Sequence, residues 1–199
     1  MHRSGSLKSI WLALITVVLS VLVSSSFGLP SVLWAQTYRG KVVEADTGEP
    51  LEGAVFVITW HKKPFITMDG PQYFHSAKEG LTDAKGEFSV DGSPTIDWNP
   101  FTYIMERPHI AIFKPGYGPF PVAHVREKRL EESEQEMVKG GAIIKLARLK
   151  TQEELKRYTS QTGMRIPSGV PNEDIPRLIK LINVQRKMAG LTSFFHEAP

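Results

Sequence analysis

Apolar and polar positions alternate along several short stretches of the chain, and each stretch ends in turn-forming residues. In residues 39–45, RGKVVEA, the alternation centres on Val42 and stops at an Asp-Thr-Gly-Glu-Pro run that begins at Asp46. Asp, Gly and Pro favour turns through side-chain hydrogen bonding, positive φ and a preset φ respectively. Residues 54–60, AVFVITW, place Val55, Val57 and Thr59 on one side and Phe56, Ile58 and Trp60 on the other. β-Branched and aromatic residues at period two predict a strand, and two apolar sides predict one that is covered on both faces. In residues 80–92, GLTDAKGEFSVDG, a tight turn from Asp83 to Gly86 joins two short strands, with Leu81, Phe88 and Val90 expected inward. Residues 109–122, HIAIFKPGYGPFPV, predict a strand through Ile110 and Ile112 that turns out at Lys114-Pro115-Gly116-Tyr117. Residues 140–149, GGAIIKLARL, predict a last strand through Ile144 and Leu146.

The period then changes. Thr151 and Glu154 have the spacing of a capping box, which predicts a short helix to about Tyr158. Asn172 is placed to cap a second helix in DIPRLIKLINVQRKMA, residues 174–189. Acidic Glu173 and Asp174 at its start and basic Arg186 and Lys187 near its end suit the helix dipole. Ile175, Leu178, Ile179 and Ile182 form an apolar stripe that must be buried. Packing on the β domain is the expectation. A partner helix, or self-association with a second copy, is the alternative.

The N-terminus reads differently again. Arg3 and Lys8 precede IWLALITVVLSVLV, residues 10–23, which carries no charge. A basic start followed by such a run predicts export by a signal peptide. Small residues suited to cleavage stand at Ser26 and Gly28, and Ala35 ends a second, less regular pair with Leu33. An uncleaved transmembrane anchor over residues 1–35 is the alternative. Both place the remainder outside the cytoplasm, in a periplasmic or extracellular location.

Charge and composition narrow the classes of function. Removing Arg3 and Lys8 from 24 basic residues leaves 22 against 21 acidic ones. That balance, without a basic stripe, predicts no nucleic-acid partner. The absence of cysteine excludes thiol catalysis and cysteine-ligated metals.

Four motifs in order resemble those of the carboxypeptidase regulatory-like domain, a transthyretin-like (prealbumin-like) family. They are Gly40-Lys41-Val42, then Thr47 to Val55 (TGEPLEGAV), then Thr82-Asp83-Ala84-Lys85-Gly86-Glu87-Phe88, and Lys114-Pro115-Gly116-Tyr117. The resemblance covers about residues 38–149 and implies an all-β fold. That fold would be a seven-stranded Greek-key β-sandwich, with an N-terminal hydrophobic helix and a C-terminal α-helical appendage over 150–199. The Pro- and aromatic-containing residues 91–107 and the charge-rich residues 123–139 depart from a compact member of the family, and are read as a solvated loop or a docking surface, with Arg129-Leu130-Glu131-Glu132 expected to open a short exposed helix in the second.

The resemblance also implies a noncatalytic role. No HExxH, GxSxG elbow or phosphate-binding glycine loop occurs, so no catalytic residue and no cofactor or metal is assigned. His61 and His75 flank one loop, without ligand geometry legible from sequence. The leading expectation is a cell-envelope structural or protein-docking module. A carbohydrate-binding module and a small hydrolase with a loop-borne polar site are the alternatives, and the expected partner is an envelope protein or a glycan. Trp60, Phe65, Tyr73, Trp98 and Tyr103 are the expected binding surface, with Phe74 and Phe101 beside them.

Overall fold

The computed structural model describes residues 36–64, 70–92, 103–105, 107–121, 127–161 and 169–193. Seven strands run in chain order: β1 Gln36–Glu44, β2 Val55–Pro64, β3 Tyr73–Leu81, β4 Glu87–Gly92, β5 Tyr103–Met105, β6 His109–Phe113 and β7 Ala142–Leu146. Among the described residues three helices accompany them: α1 Glu127–Lys139, α2 Gln152–Gln161 and α3 Pro176–Met188. A 3-10 turn, Asn172–Asp174, precedes α3.

The strands form two sheets. In the three-stranded sheet β1 lies between β4, antiparallel to it, and β7, parallel to it. In the four-stranded sheet β2 pairs with β3 on one side. On its other side β2 pairs with β6 over Val55–Thr59 and with β5 over Lys62–Pro64. One core lies between the sheets. It joins Tyr38, Val42, Phe88, Ala142, Ile144 and Leu146 from the first sheet to Phe56, Ile58, Trp60, Ile110 and Ile112 from the second.

Two close approaches depend on glycine. Gly86 ends the Asp83 turn at φ 74°, and a Cβ there would collide with the Val42 carbonyl. The Asp83 carboxylate accepts from the Lys85 and Glu87 amides at 2.9 and 2.8 Å and so holds the turn. Gly40 lies under the Phe88 ring, and a Cβ would sit 2.8 Å from its Cζ.

The expected all-β seven-stranded sandwich is corrected to a mixed α/β fold of two separate sheets and three helices. The charge-rich segment is the main reason. EKRLEESEQEMVK consists mostly of strong helix formers, without glycine or proline. It makes the 13-residue α1, which inserts fully buried Met137 into the core between the sheets. Leu81, expected inward, is 50 % exposed. It sits opposite Val55, on the face of β2 that points away from the first sheet.

The C-terminal stripe is buried within the same chain. Ile175, Leu178 and Ile179 pack on Val55, Val57 and Phe113, on the outer face of the four-stranded sheet. The capping box forms: the Glu154 amide donates to Thr151 Oγ1 at 3.0 Å, and the Thr151 amide donates back to Glu154 Oε2 at 3.3 Å. Asn172 does not cap α3; its 3-10 turn ends first. The Glu79 carboxylate, from β3, instead accepts from the Arg177 and Leu178 amides at 2.7 and 3.0 Å.

No helix among the described residues is long and apolar enough to cross a membrane. Among the described residues this stands against the expected uncleaved transmembrane anchor. The pattern that raised it, residues 1–35, lies outside the described residues.

Because Glu79 caps α3 from another element, Glu79→Ala should lower stability by about 1 kcal/mol. Glu79→Gln should cost less, since its amide oxygen still accepts one bond. Urea unfolding of both variants measures the difference.

Candidate functional site

The expected aromatic surface does not assemble among the described residues. Trp60 is 3 % exposed and belongs to the core, because it shares the inner side of β2 with Phe56 and Ile58. Tyr73, at the start of β3, is 47 % exposed, alone among the described aromatics. Tyr103 pairs with Pro64 through the β5 backbone. Its side chain, Phe65, Trp98 and Phe101 lie outside the described residues. Phe74 is half-buried and packs edge-on against His61, with ring centroids 6.0 Å apart. His61 also meets His109 edge-on at 5.4 Å. No group of three or more His, Asp or Glu side chains gathers as a metal site among the described residues.

Two polar clusters stand out, and sequence reasoning missed both. The first ties the first strand to the chain just after the last. Glu44, 5 % exposed at the end of β1, is gripped by Arg148 just past β7. Arg148 Nε donates to Oε1 at 3.0 Å and Nη2 to Oε2 at 2.9 Å. The Tyr117 hydroxyl points at the same Oε2 from 3.5 Å, and the guanidinium lies 5.2 Å from the Tyr117 ring centroid. The Arg148 hydrogen bonds hold the Glu44 carboxyl below the usual carboxylate range, although burial pushes it up. The same bonds push the guanidinium pKa up. Burial raises the Tyr117 hydroxyl. All members are engaged with one another, so the cluster reads as a tie between elements.

The second cluster lines a cleft of about 460 Å³ between α1 and the start of β1. Glu134 projects into it beside Tyr38, and Arg107 pairs with Glu131 at 2.5 Å. Burial raises the Glu134 carboxyl, and Glu131 adds to the rise while Arg107 opposes it. Burial also raises the Tyr38 hydroxyl, with Glu134 contributing.

A third feature is the outer face of the three-stranded sheet. Alternation fixes what points there: Ala142, Ile144 and Leu146 are buried, so Ile143 and Lys145 face out. Arg39 and Lys41 share that side of β1, and Glu87 and Ser89 that of β4, with Lys41 in register with Glu87 on one flank and Ile143 on the other. A cleft of about 510 Å³ opens on this face, lined by Arg39, Lys41, Glu87, Ser89, Gly141 and Ile143. Ile143 is 61 % exposed. The signal was legible only in part: Ile143 falls in the outward phase of an alternating strand once the inward phase is known.

Comparison with known protein families, with curated proteins and with solved structures gives no match.

Two pH effects follow from the clusters. Glu44 has a depressed native pKa, so the stability from its pairing is complete above the unfolded value of 4.5 and disappears as pH falls through the native value. Glu44→Gln should therefore lower the melting temperature at pH 7 and flatten its fall below pH 4.5, in a series of melts across pH. Glu134 has the opposite sign. Its raised pKa means that ionisation above 4.5 destabilises the fold. Glu134→Gln should raise the melting temperature at pH 7 and leave it nearly unchanged where the carboxyl is protonated.

Proposed function

We propose that the chain is a noncatalytic docking module that holds a partner protein on the outer face of its three-stranded sheet. The observation that carries this is the 61 % exposure of Ile143 on that face, on its edge strand β7. The corresponding face of the other sheet buries its apolar side chains under α3. An exposed isoleucine flanked by long polar side chains, over an open cleft, has the make-up of an interface centre with a polar rim. The four motifs that resemble a noncatalytic domain family favour the same role. The polar clusters add support, since the Glu44 and Arg148 groups are spent on each other. A carbohydrate site would present stacked rings on an open face, and the side chains of this face are Thr, Arg, Lys, Val, Glu, Ser, Asp and Ile.

A photo-crosslinking residue at Ser89, on the face, tests the proposal in the cell of origin, with Val184 on α3 as the control position. Capture of a discrete protein at Ser89, absent at Val184 and lost in Ile143→Asp, is the expected result. Equal capture at both positions, or none at Ser89, counts against docking here.

A further inference from the structure

Resting on the docking proposal above, we infer that the partner segment on this face is an extended, acidic peptide with an apolar residue that covers Ile143. The charges on the face carry the inference. Among the described residues, no hydrogen bond or ion pair engages the side chains of Arg39, Lys41 or Lys145. These three cations lie beside Ile143, on β1 and further along β7. Lys41 is its direct neighbour across the β1–β7 pair, Lys145 lies two residues along the same strand, and Arg39 lies diagonally beyond Lys41.

The acidic groups of the same face are mostly occupied. The Asp83 carboxylate is held by the two amides of its own turn. Asp91 accepts the Thr37 hydroxyl at 2.9 Å. Glu87 remains, in register with Lys41. Those neutral donors leave Asp83 and Asp91 charged, so the face as a whole is balanced, but its charges are segregated: Arg39, Lys41 and Lys145 stand on β1 and β7 beside Ile143, and the three carboxylates on β4 and the turn before it. A docked carboxylate would gain pairing at each cation without displacing an existing partner.

Size argues for an extended segment over a folded domain. Three strands at about 4.8 Å spacing and five residues at about 3.3 Å each span roughly 14 by 16 Å. That footprint is well below the roughly 800 Å² per partner of a stable protein pair. An extended peptide fits it, since alternate side chains of one strand project to the same side, two residues apart. The Ile143 and Lys145 spacing is the same, so an apolar residue followed two positions on by an acidic one matches both in a single register.

The probe is a short fluorescein-labelled peptide of Leu-Ser-Glu-Ser repeats, which places leucine and glutamate two positions apart on one side of an extended strand, titrated with the full-length protein and followed by anisotropy. Binding should appear at low ionic strength and weaken as salt rises to about 0.15 M, where the screening length is about 8 Å. Combined R39E, K41E and K145E should weaken it by roughly tenfold or more. I143D should weaken it too, and reversal of the distant surface lysines Lys180 and Lys187 should leave it unchanged. Circular dichroism checks that each variant folds.

Equal binding of the matching lysine–leucine peptide, or an unaltered affinity in the triple variant, overturns the inference. Binding to phosphatidylglycerol vesicles without binding to the peptide overturns it in favour of an anionic membrane surface. If crosslinking at Ser89 captures an Ile143-dependent partner while the acidic peptide fails, docking stands and the acidic partner falls. If both fail, both proposals fall.

Discussion

One strand sets the terms for the whole fold. Every residue of β2 from Val55 to His61 is buried, so both of its faces need a cover. Phe56, Ile58 and Trp60 are covered by the three-stranded sheet, and Val55 and Val57 by α3. Burying a side chain of this kind stabilises by about 1.5–3 kcal/mol. The two layers on either side of β2 therefore stabilise the fold far more than any surface pair. The order of layers follows: helix, four-stranded sheet, three-stranded sheet. Among the described residues no helix or sheet covers the outer face of the last layer.

Layers held by apolar contact alone can slide, and polar ties fix their positions. Glu44 and Arg148 lock the end of β1 to the chain after β7, and Tyr117 brings in the turn that follows β6. On the far side, Glu79 of β3 fastens the start of α3. Near the other end of α3, Gln185 accepts from the Gly116 amide at 3.1 Å and donates to Thr159 of α2 at 3.3 Å. Gly116 and Tyr117 belong to one turn, so that turn joins the C-terminal helices to both sheets. The Lys114-Pro115-Gly116-Tyr117 turn thus has a structural reason in this chain.

Where each residue's role was set by its neighbours in sequence, the sequence was legible. The two-sided alternation of β2, the Asp83 turn, the Thr151 capping box and the Ile175, Leu178, Ile179 stripe all obey local periodicity or local hydrogen bonding. The misses need information from across the fold. Helix α1 lacks an apolar stripe because Glu134 stands where Leu130 and Met137 would continue one, and its anchorage reduces to buried Met137. The cap of α3 comes from a residue 98 positions away. Glu44 and Arg148 are 104 apart. Trp60 was nominated for a surface on its residue type, although its phase in β2 already placed it with Phe56 and Ile58. Type suggested binding, and phase decided burial.

The same phase argument gives the bare face its character. In β7, inward Ala142, Ile144 and Leu146 leave Ile143 and Lys145 outward. A sheet face without a cover invites unselective association unless charge interrupts it. Arg39, Lys41, Glu87 and Lys145 supply that charge, so a single exposed isoleucine is not enough to bring random hydrophobic surfaces together. A partner must satisfy the cations as well as cover the isoleucine. On a face this small, selectivity then comes mostly from charge and register, and affinity stays modest because few apolar atoms are buried. Such a surface suits a contact that forms and releases readily, with the double-covered β2 as the rigid support behind it.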